Sequence, residues 1–447
     1  MDIVIIGGGI IGCTTAYYLT RHPSFDSRTK ITLLEASTHG AAQGASGKAG
    51  GLVARWAYPK ELVDVSFDEH VKLAKEHSGA ERWGWRYIAC GSWEGRGGLV
   101  PQEVPRPAEG SFVRKSGSRL EKNIGPADGA GSKRTGTTST KRRLPADLLW
   151  VEEDLTDSYS PMAGDGETAQ VHPYLFTMSM LELAKAEGVI LLNAKVSSIM
   201  QSGGKVTGVK YVNGHTQETA VLPATHVILA AGAWSASLLP ALPITGTRAH
   251  SVVIRPKPTT TIAPYVLFTE ISIPKAKGRF KIVTPEIYAR PDNEVYACGP
   301  GDDSPLPDTV DDVAVDIAAC DSIYTHISSI SHDLQAGTVE RRQACFLPSV
   351  TVTEGGPIVG EAGQTAKGLI IATGHTCWVL LFLAYILYVN SCFLLQGICN
   401  APGTARAISE LVMDGEIKCA NLKTLQPDSF LQTQHNNYPS TKFRTAS

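Results

Sequence analysis

None of the nine cysteines forms a Cys-x-x-Cys pair, and their number is odd. That excludes a disulfide framework or a zinc ribbon and points to reduced thiols in a cytoplasmic protein. No cysteine or carboxylate partner has metal spacing with His70 or His77, so they read as ordinary helix-surface or core residues and no metal is assigned. Neither charge is in excess, with 41 Lys and Arg against 43 Asp and Glu giving a formal net charge of −2. No global field therefore selects nucleic acid or an anionic membrane surface. A signal peptide is not expected, because the first strand begins at Asp2 and leaves no room for a basic region and an apolar run ahead of it, and the final residues Phe443-Arg444-Thr445-Ala446-Ser447 do not read as a peroxisomal address. Long apolar runs are missing with one exception, residues 379–396. What the chain has instead is length, 447 residues, and a 43% hydrophobic content, enough for a large core and more than one domain.

The stretch from Met1 to Gly12 organises the rest. A β-branched run, Ile3-Val4-Ile5-Ile6, stops at Gly7-Gly8-Gly9-Ile10-Ile11-Gly12 and passes into Cys13-Thr14-Thr15-Ala16-Tyr17-Tyr18-Leu19. This predicts a buried strand, a tight turn and a helix. Gly7 turns the chain, Gly9 admits a pyrophosphate to the backbone and Gly12 lets the helix lie close to the strand. The amides around Ile10 and Ile11 at the helix N-terminus face the phosphates, which then need no lysine. A second strand over 30–34 ends in Glu35, at the distance where a carboxylate accepts hydrogen bonds from an adenosine ribose. Glycine-rich turns are common and a lone strand-end acid is usually just solvated. The complete strand, turn, helix, strand and acid pattern points to a dinucleotide site.

Beyond Glu35 and Ala36, small residues dominate up to Leu52, including Ser46, Gly47, Lys48 and Gly50. They read as a surface loop or as backbone passing close to a flat ligand. Residues 56–93 read as helical and aromatic-rich, and 95–143 as a basic low-complexity insertion. A helix over 175–187 ending at Gly188 precedes strands over 189–199 and a hairpin turning at Asn213-Gly214. Another buried strand, 226–235, contains Ala231, Gly232 and Trp234. Alternating runs between 243 and 345 predict an antiparallel sheet closed by a helix over 310–330. A last helix is expected over 404–413, then a polar, disordered tail from 426.

Together the first motif and Ala45-Ser46-Gly47-Lys48-Ala49-Gly50-Gly51 resemble the flavin-dependent oxidoreductases of the D-amino-acid oxidase and glycine oxidase type. In that family such a segment lies along the flavin. A second match is far away in the chain: a helix, a strand that touches adenine near the position of Val196, a hairpin, then Val227-Ile228-Leu229-Ala230-Ala231-Gly232-Ala233-Trp234-Ser235 beside the cofactor. The third is Gly374-His375, the family's last flavin-contacting turn. The resemblance implies an α/β fold, with a discontinuous Rossmann-like FAD-binding domain and an antiparallel-sheet α+β substrate domain. The FAD-binding parts are expected at 1–94, 146–242 and 346–425, the insertion at 95–145, the substrate domain at 243–345 and the tail at 426–447. Where relatives that oxidise amino acids hold the substrate carboxylate with an arginine, this chain has Leu347. Leucine cannot form a bidentate pair, which leaves Arg290, Arg341 or Arg342 as substitutes. Cys345 lies near the position where some relatives tether flavin, although a buried free thiol is the plainer reading.

The family pattern G-H-x-x-x-G is interrupted after Trp378 by the apolar residues 379–396, and joining Trp378 to Gly397 restores it through Ala401, Pro402 and Thr404. At about 18 residues the stretch meets the lower limit for a membrane span. A span would put His375 and Ala401 on opposite sides of a bilayer, and no basic cluster flanks it. A buried helix of roughly 27 Å would be large for a flavin-site turn. The favoured reading is a retained intron, since the stretch opens on Val, whose codons begin with GT, and closes on Gln, for which CAG is one codon.

The resemblance thus implies an FAD-dependent oxidoreductase that takes a hydride from a C–H next to the nitrogen of an amine or amino-acid-like substrate, with dioxygen as acceptor. Flavin contacts are expected from Gly7, Gly9, Ile10, Ile11, Gly12, Glu35, Ala36, Ser46, Gly47, Lys48, Gly50, Val196, Ala231, Gly232, Trp234, Gly374, His375, Gly397 and Thr404. Lys48 and His375 are the candidate catalytic groups. No general base is identifiable, and neither nucleic acid nor a membrane span is expected. Two alternatives stay open: a dehydrogenase with another acceptor, and a flavin-binding protein acting through interaction in endosomal trafficking with the basic loop as the contact.

Overall fold

The β-branched run of Asp2–Ile6 forms the centre of an eight-stranded sheet in a computed structural model that describes residues 1–98, 143–275, 279–352, 355–376 and 396–431. Outward on one side lie Lys30–Glu35, Ile190–Ser202, Lys205–Asn213 and Thr219–Pro223. On the other lie His226–Leu229, Leu369–Thr373 and Ile358–Glu361. The five inner strands are parallel and covered on both faces, with Ile5, Leu33, Ile228 and Ile371 0% exposed. Such burial stabilises by about 1.5–3 kcal/mol per side chain. From Asp2–Ile6 the chain order runs outward in both directions, so a topological switch point opens at the carboxyl end of this strand. Helix Ile10–Thr20 starts there and packs between helices Pro173–Ala186 and Gln396–Asp414. All its residues except Tyr18 are buried, as befits a helix apolar all round.

A second sheet runs in the order Thr338–Val350, Ile244–Arg255, Glu294–Asp302, Glu286–Arg290, Tyr265–Pro274, Ala89–Arg96 and Thr156–Pro161, with Phe280–Val283 paired to Tyr265–Pro274. Helix Ile317–Ser328 covers one face, burying Cys320, Ile323, Tyr324 and Ile327. The sheet is antiparallel except where Ala89–Arg96 runs parallel to Tyr265–Pro274. Leu52–Ala54, Thr168–Gln170 and Arg86–Tyr87 make a small third sheet.

Five expectations need correction. The helical reading of 56–93 holds for Lys60–Glu76 and Gly79–Trp83, but Gly84 (φ +66°) ends the second helix. The period then changes to two, and Ala89–Arg96 joins the second sheet with Trp93 buried and its Nε1 donating to Thr156 Oγ1 at 3.0 Å. Ala89–Arg96 and Thr156–Pro161, drawn largely from the segments 1–94 and 146–242 expected on the cofactor side, therefore pair within the second sheet. Asn213-Gly214 is not a two-residue turn. The Asn213 side chain accepts from the amides of His215 and Thr216 at 2.9 and 3.0 Å, so it opens a longer loop before Thr219–Pro223. No continuous helix spans 310–330, because Asp316 accepts from the amides of Ala318 and Ala319 and starts the helix at Ile317. The last helix begins at Gln396, not Thr404. The tail does not begin as disorder at 426, since Pro427–Leu431 is helical and buries Phe430 on the first sheet.

Most of the basic insertion (99–142), the apolar stretch up to residue 395 and the tail from 432 lie outside the described residues. Among the described residues no helix is long and apolar enough to cross a membrane.

Candidate cofactor site

The three glycines of the first turn do different work. Gly7 has φ +109°, and a Cβ there would come within 2.5 Å of the Ala230 carbonyl oxygen. A Cβ on Gly12 would be driven into the Gly7 carbonyl oxygen. Both are fixed by backbone packing. Gly9 differs, because a Cβ would meet only Ser46 Oγ at 3.0 Å. It keeps the cavity side of the turn open.

The cavity, about 440 Å³, runs along the carboxyl ends of the parallel strands. At one end Glu35 ends its strand, accepting from the Gly8 amide at 2.7 Å and the Ser37 amide at 2.7 Å. Burial raises the Glu35 pKa, and these two backbone bonds oppose the shift. In the middle Ser46 Oγ accepts from the Ile10 amide at 2.8 Å, filling a capping role that Gly9 cannot. The other amides of that first helical turn have no intrahelical partner and offer an anion a positive dipole end. Gly232, at φ +54°, has nothing within 4 Å of a would-be Cβ and opens onto the same space.

At the far end Gly374 (φ +76°) turns the chain so that His375 faces the cavity, together with Gly397 and Ile398 from the start of helix Gln396–Asp414. His375 is 5% exposed, its Nε2 lies 3.0 Å from Thr404 Oγ1, and burial lowers its pKa to about 3. It is neutral at physiological pH, held by Thr404, which does not itself line the cavity. Pro402 lies inside this helix and has no N–H to donate to the Ile398 carbonyl. His70 supplies the missing donor, its Nε2 2.9 Å from Ile398 O. Burial lowers the His70 pKa to about 4, so it does this as a neutral ring.

Of the predicted contacts, Gly7, Gly9, Ile10, Ile11, Glu35, Ala36, Ser46, Val196, Ala231, Gly232, Trp234, Gly374, His375 and Gly397 line this one cavity. Gly12, Gly47, Lys48, Gly50 and Thr404 do not. Gly47 and Gly50 shape the loop instead: a Cβ on Gly50 would lie 2.6 Å from the Tyr288 ring, and one on Gly47 would strike the Ala42 carbonyl. Lys48 Nζ donates to the Ala344 carbonyl at 3.0 Å, tying the loop to strand Thr338–Val350, and burial lowers its pKa. Cys345 is a buried free thiol off the cavity wall, pushed up to about 11 by burial.

Leu347 lines the cavity between Phe346 and Pro348, and none of the proposed substitute arginines does. Arg290 is buried, paired to Glu294 at 2.7 Å and bonded to the Ala49 carbonyl. Arg341 pairs with Glu294 at 2.5 Å, and Arg342 with Asp321 at 2.7 Å. Sequence reasoning also missed Leu306–Val310, a segment from the second sheet's side of the chain that forms one wall.

An open backbone at Gly9, unpaired first-turn amides and a strand-end carboxylate fit a dinucleotide with a pyrophosphate centre, and the cavity's far end continues past the nucleotide portion. The family comparison agrees: residues 2–386 match the DAO family model, described as FAD dependent oxidoreductase. The chain belongs to this family. Its cofactor is FAD, and it is an FAD-dependent oxidoreductase. The family match ends inside the apolar stretch. The chain is 32% identical to the Saccharomyces cerevisiae protein named Putative oxidoreductase TDA3, over 95% of this chain and 94% of that one. It is 30% identical to the Schizosaccharomyces pombe protein named Putative oxidoreductase C1F5.03c, over 96% and 99%. In fold it is similar to iminodiacetate oxidase from Chelativorans sp. BNC1, with TM-score 0.63 at 17% identity, covering 95% of this chain and 98% of that one. It is equally similar to glycine oxidase from Geobacillus kaustophilus, with TM-score 0.63 at 16% identity, covering 95% and 97%.

Proposed function

We propose that the protein oxidises an amine that carries no α-carboxylate, by hydride removal from the C–H beside nitrogen, giving an imine that water hydrolyses. Bound FAD supplies the two-electron acceptor and the route to dioxygen. The observation that carries the substrate class is Leu347 on the cavity wall with Arg290, Arg341 and Arg342 all engaged elsewhere. Lys195 is the one Lys or Arg among the described cavity-lining residues, and it pairs with Asp308. An α-amino acid carboxylate would enter the leucine-lined end without a charged partner, a desolvation cost of several kcal/mol.

The chain's own groups do three things. Phe346, Leu347 and Pro348 give the far end an apolar wall that limits water beside the reacting carbon. The start of helix Gln396–Asp414, at Gly397 and Ile398, lines the cavity and would offer a positive dipole end to a bound flavin there. His375 presents a neutral ring fixed by Thr404, available for hydrogen bonding and not for charge.

The test is anaerobic mixing of the flavin-loaded protein with primary and secondary amines and with the matching α-amino acids, following loss of the visible flavin band. Amines should bleach it and amino acids should not; the reverse order sinks the substrate class. Peroxide formation with and without an artificial acceptor then separates an oxidase from a dehydrogenase.

A further inference from the structure

Between strand Glu294–Asp302 and helix Ile317–Ser328 the chain leaves the second sheet and crosses to the first. Both ends of the crossing are anchored where they start. Asp302 accepts from Arg248 Nε at 3.1 Å and from the Ser304 amide at 2.9 Å, and Asp316 caps the helix that follows. The middle is a self-supported turn, with Thr309 and Asp312 closing a capping box. Leu306–Val310 forms a wall of the cavity, which Glu35 and Val196 also line.

The crossing is held to the cofactor side by polar tethers. Asp311 accepts from Ser37 Oγ at 2.5 Å, the Thr38 amide at 2.8 Å and Thr38 Oγ1 at 2.7 Å. Asp308 pairs with Lys195, and Trp234 Nε1 donates to the Pro307 carbonyl at 2.8 Å. Ser37 and Thr38 directly follow the strand that ends in Glu35, the carboxylate placed for the ribose. We propose that residues 303–312 are a strap that closes over the adenosine half of FAD, and that the Asp311 latch onto Ser37 and Thr38 sets how fast the cofactor leaves. The inference rests on FAD occupying this cavity. Because the ties to Ser37, Thr38, Lys195 and Trp234 are hydrogen bonds and an ion pair, with Leu306 beside Gly246 and Val310 beside Gly44 as apolar neighbours, the strap can lift without unfolding either sheet.

The experiment uses full-length, FAD-loaded protein, with release followed after dilution by recovery of flavin fluorescence. Asp311→Ala removes three hydrogen bonds to a carboxylate and should speed release at least about tenfold. Ser37→Ala with Thr38→Ala removes the two hydroxyl donors from the other side, leaving the Thr38 amide bond, and should speed release several-fold, which keeps the test decisive if Asp311→Ala does not fold. Glu340→Gln, at an exposed pair with Arg255 on the second sheet, should leave release unchanged. Hydrogen exchange in 303–312 should be slowed by FAD in the wild type and not in the latch variants. Unchanged release in both latch variants, or equal acceleration by Glu340→Gln, overturns the strap. A wild-type protein that binds no FAD overturns the cofactor assignment and the strap with it.

Discussion

His70→Phe is the sharpest probe of how the far end of the cavity, beside Ile398, is built. His70 is 1% exposed, stacked on Trp85 with ring centres 6.0 Å apart and 5.0 Å from Phe176. Phenylalanine keeps the ring volume and removes the donor, leaving the Ile398 carbonyl with neither the His70 N–H nor an amide at Pro402. A buried acceptor stripped of its partner costs about 1–3 kcal/mol. Pro402→Ala supplies the missing i→i−4 amide by a different route and, taken alone, relieves a helix-interior proline worth up to about 3 kcal/mol. In the Pro402→Ala background His70→Phe should therefore cost at least about 1 kcal/mol less, a positive coupling in a double-mutant cycle. Urea unfolding of all four proteins measures it. Since Ile398 lines the cavity, His70→Phe should also weaken FAD retention and Pro402→Ala should restore it. Equal cost of His70→Phe in both backgrounds would refute the reasoning.

The other predictions follow from the same geometry. Gly12→Ala, meeting a backbone oxygen, should cost about 3–5 kcal/mol and yield little folded protein, whereas Gly9→Ala should change apoprotein stability by less than about 1 kcal/mol yet lose FAD. Thermal melts and visible absorbance separate the two outcomes, and equal effects of both would contradict the assignment. Buried His375 and His70, with folded pKa values of about 3 and 4 against an ordinary 6.5, take up protons more readily when unfolded. Their contribution is full above about pH 6.5 and is lost as pH falls toward their folded values, by roughly 2 kcal/mol each between pH 6.5 and 5. Urea midpoints across that range should flatten in His375→Asn.

The nucleotide end of the site was legible because its determinants are local. Gly7, Gly9, Gly12 and Glu35 lie within one strand-helix-strand unit, and the contacts that constrain Gly9, Gly12 and Glu35 come from residues no more than a few dozen positions away, whereas Gly7 also packs against Ala230. What escaped notice depends on partners far apart in the chain. Asp311 reaches Ser37 across 274 positions, and nothing in the run Pro307-Asp308-Thr309-Val310-Asp311-Asp312 beyond a capping box hints at that contact. His70 looked like an ordinary core histidine, since its use is set by a proline on another helix. Lys48 and Thr404 had the right neighbourhood and the wrong role, because a sequence pattern places a residue near a ligand without saying whether its side chain turns toward the ligand or toward the scaffold. The strand Ala89–Arg96 was hidden because Trp93 extends the aromatic run of the preceding helices, although Gly84 breaks the helix and Gly91 and Gly95 fall two positions on either side of Trp93.

The described chain stops at Thr376 and resumes at Gln396 beside the same site. A Cβ on Gly397 would lie 3.6 Å from the His375 carbonyl oxygen, so the positions on either side of 377–395 are neighbours at the far end of the cavity. Twenty residues, 377–396, separate those neighbouring positions in the sequence. Joining Trp378 to Gly397 leaves two, enough to span neighbouring positions, and reduces the entropy of closing the loop by about 2 kcal/mol. Every described wall of the cavity, and the His375–Thr404 bond, belongs to residues outside the excised stretch. A protein lacking 379–396 should therefore bind FAD at least as tightly as the full chain and melt at a higher temperature, with spliced transcript reading directly from Trp378 into Gly397. A deletion variant that is colourless while the full chain is yellow would show that the stretch belongs to the site, and mature message retaining it would remove the intron reading.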